Sequence, residues 1–219
     1  MDAYVLRPTP CDEREGVSSP SCRRTIEVDD ARPARPPRAS NVIIRTAVGR
    51  DWPRIYPFFS IIVAAGRTYA FPEDLSLKDA RPWWREEPPG RTVVALEGDT
   101  VLGSAKMGPN RPGRGSHVAT ASFMVDPDHH GQGVGRALGG HVLDWARSGG
   151  YRSIQFNAVV ETNYTAVHLW QSLGFQILTT IPDAFNHAEN GLVGLHVMFH
   201  SLEPHPGTDD RSPRTTTAR

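Results

Sequence analysis

The sequence predicts a mixed α/β domain built on a mostly antiparallel sheet of about seven strands flanked by helices. Short segments of alternating apolar residues are bounded by Gly, Pro, Asn or Asp, as strands are. Three longer segments carry apolar residues at helical spacing. One strand leads directly into a glycine-rich turn that opens a helix, and such a junction is suited to binding an anion.

The predicted order of elements is β-α-β-β-β-α-β-α-β-β. Strands are predicted over 42–47, 92–97, 101–105, 117–125, 154–158, 175–181 and 193–199. The first helix is predicted to start at Asp51 as its N-cap and to continue to about Val63, and further helices are predicted over 133–147 and 163–173. Pro57 falls inside the first helix, so we expect a kink near its start.

The folded domain is expected to span residues 41–202. Residues 1–40 are rich in Pro, Arg, Ser and Asp and cannot bury an apolar face, so they are expected to form a disordered arm. Residues 203–219 are again polar and are expected to form a second disordered tail.

Charge and composition argue against several classes of protein. Lys+Arg and Asp+Glu both number 24, so the neutral chain predicts neither a nucleic-acid partner nor an anionic membrane partner. No apolar segment approaches the roughly 20 residues of a membrane span, and the N-terminus lacks the pattern of a secretory signal. Cys11 and Cys22 both lie in the arm, which predicts no disulfide and a cytoplasmic location. No Cys/His spacing matches a zinc site, so no metal is expected.

The candidate chemistry is concentrated in a strand, a turn and a helix over residues 123–138. Gly131, Gly133 and Gly135 let the backbone approach a ligand closely. The free N–H groups of the first helical turn then form an anion site that the helix dipole reinforces, and a diphosphate fits it. Arg136 adds a permanent positive charge beside the turn.

Two other nucleotide-binding motifs fit this segment less well. The dinucleotide fingerprint G-x-G-x-x-G starts at Gly131 and Gly133, but Arg136 occupies its third glycine position. No acidic residue stands at the end of the next strand, about 20 positions on, where that fingerprint needs one. The P-loop needs Gly-Lys-Ser/Thr, which Gly135-Arg136-Ala137 does not supply.

The spacing from His130 to Gly135 resembles the acetyl-CoA motif Q/R-x-x-G-x-G/A of the GCN5-related N-acetyltransferase (GNAT) family, with His130 in place of Gln or Arg. The resemblance covers about residues 42–200 in element order. It implies that two neighbouring parallel strands splay apart to form an acetyl-CoA cleft, that a small-molecule amine is the acceptor, and that a homodimer is a common assembly. The residues expected to bind acetyl-CoA are Phe123, Met124, Val125, His130, Gly131, Gln132, Gly133, Val134, Gly135, Arg136 and Asn163.

The helix that starts near Asn163 carries the second half of the resemblance. Asn163 matches the family position that hydrogen-bonds the pantetheine arm, and it also suits a helix N-cap. Four residues before a Gly-Phe pair, many members place a Tyr that protonates the leaving thiolate. Trp170 stands there, and an indole N–H is not a practical acid at neutral pH. The usual acid is therefore expected to be missing.

A narrower resemblance is to the yeast azetidine-2-carboxylate acetyltransferases, which acetylate proline analogues. It is carried by Gly108-Pro109-Asn110, Ser116-His117, Phe156-Asn157 and Glu161-Thr162-Asn163, together with Trp170. It implies that the backbone at Asn157 and Ala158 binds the acceptor carboxylate and that Asn163 orients the thioester. Asn157 and Asn163 are therefore the catalytic candidates. A side-chain amide that helps to bind the carboxylate in those enzymes is replaced by Thr120 here.

The resulting hypothesis is direct attack of the amine on acetyl-CoA. A backbone N–H near Met124 or Val125 would polarise the acetyl carbonyl, and positioning would supply much of the remaining rate enhancement. His117, on a strand expected to border the site, and Glu161, at a strand end, are weaker candidates for a base. The loop over 182–191 is expected to cover the acceptor pocket.

Two alternatives remain open at this point. A CoA-binding sensor on the same fold is compatible with Trp170 at the position of the usual acid. An acetyltransferase with another acceptor, such as an antibiotic, phosphinothricin or a protein amine, is compatible with the same motif.

Overall fold

A seven-stranded sheet runs through the part of the chain that the computed structural model describes, residues 42–202. The predicted arm and tail, 1–40 and 203–219, lie outside the described residues. The strands are β1 Ile43–Thr46, β2 Arg91–Glu97, β3 Thr100–Pro109, β4 Val118–Val125, β5 Ser153–Val160, β6 Gln176–His187 and β7 Gly191–Ser201. Their order across the sheet is β1-β2-β3-β4-β5-β7-β6. All neighbouring pairs are antiparallel except β4 and β5, which confirms the predicted sheet with one parallel pair.

Two pairs of helices cover the sheet, and strand alternation separates the residues that each pair contacts. They are α1 Trp52–Ala64 with α2 Leu77–Trp84, and α3 Val134–Ser148 with α4 Tyr164–Ser172. On β4, Met124 packs with the apolar faces of α1 and α2, whereas Ala119 and Phe123 pack with α3 and α4. Because successive strand residues point to opposite faces, the two helix pairs lie on opposite sides of the sheet.

The sequence prediction missed α2 and misjudged the course of β6. Helix α2 is only eight residues long and contains Pro82, so the segment has too few turns for a helical period to be detected. The predicted loop over 182–191 is strand as far as His187, because β6 pairs with β7 from Gln176 to that residue with two register shifts. Helix α1 continues through Pro57 to Ala64, so this proline does not end the helix.

Asp51 precedes α1 as predicted, but its side chain does not cap that helix. Its carboxylate accepts two hydrogen bonds from the Arg45 guanidinium, at 2.6 and 2.9 Å, and one from the Val48 N–H at 2.8 Å. The Arg45 hydrogen bonds hold the pKa of the buried Asp51 carboxyl below its ordinary value. The side chain therefore joins β1 to the start of α1, and this fixes the first helix against the sheet.

In the described part of the chain, the helices are all too short or too polar to cross a membrane.

Alanine substitutions at two adjacent glycines of α3 are expected to change the stability of the protein in opposite directions. A Cβ on Gly139 would lie 2.7 Å from Leu173 Cδ1 and 3.0 Å from Trp170 Cζ3, whereas a Cβ on Gly140 would meet nothing within 4 Å. We expect Gly139→Ala to lower the free energy of unfolding by about 1–3 kcal/mol through overpacking. Gly140→Ala should raise it by about 0.5–1 kcal/mol through helix propensity. Urea denaturation measures both, and equal effects would contradict the close contact of α3 with α4.

Candidate active site

Strands β4 and β5 pair at their starts and then part. Their parallel register contains Val118 with Ser153 and Ala119 with Ile154, and no later residue of either strand is included. The Asp126 N–H bonds to the Leu102 carbonyl on β3, so even-numbered residues of β4 direct their backbone groups toward β3. By alternation, the N–H and C=O groups of Ala121, Phe123 and Val125 face the gap that β5 leaves open.

This alternation separates the three predicted residues of β4. Met124 is paired with Ser104 of β3, and its N–H faces that strand, which excludes it as a donor into the gap. The donors that face the gap near the mouth are the N–H groups of Phe123 and Val125. The Val125 carbonyl lies 3.3 Å from His130 Nε2, which can donate to it. His130 therefore joins the turn to the end of the strand, at the position where the resemblance implies Gln or Arg.

The glycine-rich turn is open to solvent at the N-terminus of α3. Gly131 and Gly133 are exposed and have φ values of 76° and 82°, in the left-handed region that favours glycine. Gly133 is the N-cap residue of the 15-residue helix, and Val134, the first helical residue, is buried. A Cβ on Gly135 would lie 3.2 Å from Leu169 Cδ2, so this glycine allows α3 to approach α4 closely.

The turn has the features that a diphosphate needs. The first N–H groups of α3 have no partner within the helix, and the helix dipole adds positive potential there. Two exposed glycines leave room for phosphate oxygens beside the backbone. The exposed Arg136 donates to Ser172 Oγ at 2.7 Å, which holds its guanidinium near the start of α3 and against the end of α4. Gln132 lies between the two glycines and is half-buried.

The start of α4 forms the opposite side of the mouth. Asn163 Oδ1 accepts a hydrogen bond of 3.1 Å from the Ala166 N–H, which is the N-cap interaction that the sequence suggested. This bond uses one side-chain oxygen lone pair and leaves the amide NH₂ group of Asn163 uncommitted among the described residues.

Trp170 belongs to the core beneath the gap. Its side chain is buried, and its ring lies 4.4 Å from that of Phe123 and 5.1 Å from that of Phe156. Phe156 also stacks on Phe175 at 4.3 Å. The aromatic group therefore supports β4 and β5 from the α4 side, and Trp170 contributes packing where the resemblance expects an acid.

Asn157 and Ala158 lie at an irregularity in β5. The register with β7 pairs Phe156 with Met198 and Val159 with His196, so β5 holds one extra residue there. Such a bulge bends a strand and occurs often beside active sites. Because β4 has already separated from β5 at this level, the backbone of Asn157 and Ala158 lies where both neighbouring ladders are interrupted.

A chain of side-chain amides crosses the face of the sheet beside this bulge. Gln155 Nε2 donates to Asn157 Oδ1 at 2.8 Å, and Asn157 Nδ2 donates to Asn110 Oδ1 at 2.6 Å. Arg111 Nη1 also lies 3.2 Å from Asn110 Oδ1. Thr120, the first residue of β4 beyond the last parallel pair, is half-buried on the intervening strand. The structure thus brings Asn157 and Asn110 together, with Thr120 on the strand between them.

The two candidate bases have different positions. His117 is exposed and precedes β4, at the end where β4 and β5 are still paired, so it lies outside the open part of the gap. The predicted strand therefore began one residue too early, and His117 does not border the cleft. Glu161 follows β5 and accepts a 2.5 Å hydrogen bond from the Gly194 N–H through Oε1. A Cβ at Gly194 would lie 2.8 Å from Glu161 Oε2, so the carboxylate is packed directly on β7.

Tyr69, which the sequence analysis did not select, reaches β4 in the middle of the gap. Its hydroxyl donates to the Phe123 carbonyl at 2.7 Å and accepts from the Phe123 N–H at 3.1 Å. The ring stacks on Phe71 at 5.0 Å and meets Trp84 edge-on at 5.9 Å. Burial raises the pKa of the Tyr69 hydroxyl far above its ordinary value, so the group stays protonated. The aromatic residues Tyr69 and Phe71, two positions apart, were the signal in the sequence that this segment packs against the domain.

The segment that carries Tyr69 also meets the turn between β6 and β7. The Ala188 N–H donates to the Gly66 carbonyl at 3.0 Å, and Arg67 forms an ion pair with Glu189. These contacts place residues 66–69 and the β6–β7 turn side by side on the α1 side of the sheet. Together they form a wall beside the gap, on the face of the sheet that α3 does not cover.

A cavity of about 780 Å³ lies elsewhere, between the end of β1 and the loop before β2. Trp52, Arg81, Trp84 and Arg91 line part of it. It contains none of the residues that the motif selects, so we place the candidate site in the gap between β4 and β5.

The model of the acetyltransferase (GNAT) family matches residues 56–175, more than half of the chain. A solved GCN5-related N-acetyltransferase from Kribbella flavida is 55% identical, covers 73% of this chain and 97% of its own, and superposes with a TM-score of 0.71. YncA, an acetyltransferase from Salmonella typhimurium solved with acetyl-CoA, is 25% identical over 78% of this chain and 99% of its own, with a TM-score of 0.64. The chain therefore belongs to the GNAT acetyltransferase family, as the turn and the splayed strands indicate.

Two curated relatives match over shorter segments. N-acetyltransferase aca1 of Schizosaccharomyces pombe is 39% identical over 85 residues, which is 39% of this chain and 41% of that protein. The L-amino acid N-acyltransferase MnaT of Escherichia coli is 35% identical over 91 residues, which is 41% of this chain and 52% of that protein. The matched segments thus span about half or less of these relatives.

Because the turn is open, a charged side chain at position 133 is expected to weaken the binding of acetyl-CoA. Gly133→Asp adds bulk and negative charge where the diphosphate should bind, so affinity for acetyl-CoA should fall by about tenfold or more. Gly98→Asp is the matched control, since Gly98 also has a positive φ of 55° and meets nothing within 4 Å of a new Cβ. Calorimetry on both variants measures the effect. Equal affinities of Gly133→Asp and the native protein would place the diphosphate elsewhere.

Proposed function

We propose that this protein transfers the acetyl group of acetyl-CoA to the amine of a small molecule, with an amino acid as the acceptor. The proposal rests on one observation: the gap between β4 and β5 leads directly to an exposed glycine turn at the N-terminus of α3. An anion site beside a row of unpaired strand groups suits a ligand with a diphosphate at one end and an amide-containing arm at the other.

In this arrangement the diphosphate of acetyl-CoA binds the N–H groups between Gly131 and Arg136. The pantetheine arm then follows the open edge of β4 past Val125, with the Asn163 side chain on the opposite side. A backbone N–H of β4 donates a hydrogen bond to the acetyl oxygen and stabilises its developing negative charge. One such donor is typically worth about 10²–10³ in rate.

The acceptor amine attacks the acetyl carbon directly. A C–N bond forms, the thioester C–S bond breaks, and the sulfur leaves as a thiolate that is then protonated. The nitrogen loses a proton to water or to the Glu161 carboxylate, which Gly194 holds in place. Trp170 is packed in the core and supplies no proton. The alignment of the amine with the thioester must therefore account for much of the rate acceleration. Alignment of reactants is worth about 7–11 kcal/mol in favourable cases.

Several features favour an amino acid as the acceptor. The bulge at Asn157 and Ala158 offers backbone groups at the open end of β5, and the amides of Asn110 and Gln155 lie beside it. Uncharged amide groups suit an amino acid, whose carboxylate needs donors and whose ammonium group must lose a proton before it can react. MnaT, a relative named as an L-amino acid N-acyltransferase, is consistent with this class. Proline analogues are the narrower candidates.

A CoA-binding sensor is the second candidate function, and the packing of Trp170 favours it. The position that holds an acid in many family members is filled here by a buried indole between Phe123 and Phe156. A protein that binds acetyl-CoA without turnover would tolerate this replacement. Such a protein would bind acetyl-CoA as tightly as an active enzyme does, but it would release no free thiol.

An acetylation screen tests the proposal and separates the candidates. Free thiol is followed with acetyl-CoA and a panel of proline analogues, primary amino acids, polyamines and aminoglycosides, while calorimetry measures acetyl-CoA binding. Turnover is expected on amino acids, with Gly133→Asp strongly impaired and Gly98→Asp active. Binding without turnover on any amine would support the sensor. Turnover confined to amines without a carboxylate would reject the amino-acid acceptor while keeping the acetyltransferase.

A further inference from the structure

The open edge of β4 is not empty at its centre. Phe123 lies between Ala119, which is paired with β5, and Val125, which borders the mouth. In a closed sheet its N–H and C=O would bond to β5. Here the Tyr69 hydroxyl accepts from the N–H and donates to the C=O instead. A single side-chain atom therefore replaces the missing strand at one residue.

The hydroxyl oxygen accepts from the Phe123 N–H in the way that an acyl oxygen would. An arm that enters at the glycine turn passes Val125 first and reaches Phe123 about 7 Å deeper, two residues along the strand. Of the N–H groups that face the gap near its mouth, that of Phe123 is therefore the deeper. A long arm with the thioester at its tip is expected to place the acetyl oxygen there.

We propose that the Tyr69 hydroxyl holds the position of the acetyl carbonyl oxygen and is exchanged for that oxygen when acetyl-CoA binds. The inference rests on the proposed function. Acetyl-CoA must displace the hydroxyl from the Phe123 N–H, whereas CoA, which has no acetyl oxygen, leaves it in place. Tyr69 is thus a positioning residue that lowers the preference of the cleft for acetyl-CoA over CoA.

The chemistry of Tyr69 fits exchange and not proton transfer. Burial raises the pKa of its hydroxyl far above the ordinary value, so it is too weak an acid to protonate a thiolate efficiently. The hydroxyl has two lone pairs and a rotatable O–H, so it can bond to water in the gap once its oxygen has moved away from the Phe123 N–H.

The test compares two ligands on three proteins. Dissociation constants of acetyl-CoA and CoA are measured by calorimetry on the native chain, on Tyr69→Phe and on Tyr56→Phe. Tyr56 is the matched control, because its hydroxyl donates to the Leu75 carbonyl at 2.9 Å and so bonds away from Phe123. Loss of the Tyr69 hydroxyl should raise the ratio of the CoA constant to the acetyl-CoA constant by roughly two- to tenfold. Tyr56→Phe should leave the ratio unchanged.

A purely structural role for Tyr69 would shift both constants together, and this result would overturn the proposal. A lower ratio would also overturn it, since the hydroxyl would then assist acetyl binding. If neither ligand binds the native chain, the proposed function itself fails, and the inference with it. Should Tyr69→Phe not fold, hydrogen exchange of residues 66–71 in the native chain gives the answer. This segment should exchange faster with acetyl-CoA than with CoA, and equal rates would count against displacement.

Discussion

The separation of β4 from β5 is the constraint on which the rest of the site depends. Two parallel pairs at Val118 and Ala119 hold the strands together at one end, and beyond them each strand needs other support. On β4 that support comes from the Tyr69 hydroxyl at Phe123 and from His130 at Val125. On β5 it comes from β7, with a bulge that lets the strand bend away. Unpaired backbone is costly when buried, so a gap of this kind persists only where partners or solvent satisfy it.

The same separation explains how a tryptophan can stand at Trp170 without closing the cleft. Its ring packs under Phe123 and Phe156 and so fills the wedge between the two strands from the α4 side. Large aromatic groups contribute much buried area at such a junction. The position therefore supports the shape of the site, and the chemistry relies on backbone donors and on alignment. A reaction of this kind needs a nucleophile that is already unprotonated or easily deprotonated.

The motif and the sheet could be predicted from sequence because both depend on local patterns. The glycine spacing at Gly131, Gly133 and Gly135 was sufficient for the resemblance to the family, and the gap followed from that resemblance. Contacts between distant segments were not predictable in the same way. Tyr69 and Phe123 are 54 residues apart, and their bond depends on how α1 and α2 pack.

Helix α2 itself was missed because eight residues with a central proline show little periodicity. Residues 182–187, the last part of β6, were predicted as loop because the pairing of β6 with β7 contains register shifts that blur the alternation.

The wall formed by residues 66–69 and the β6–β7 turn has a further consequence. Its two halves are joined by one backbone hydrogen bond between Ala188 and Gly66 and one exposed ion pair between Arg67 and Glu189. Neither half contributes to the glycine turn or to the start of α3. The two ends of the cleft can therefore diverge independently: changes in these short connecting segments can remodel one entrance while the nucleotide end keeps its shape. Such separation allows one scaffold to serve many acceptors over evolutionary time.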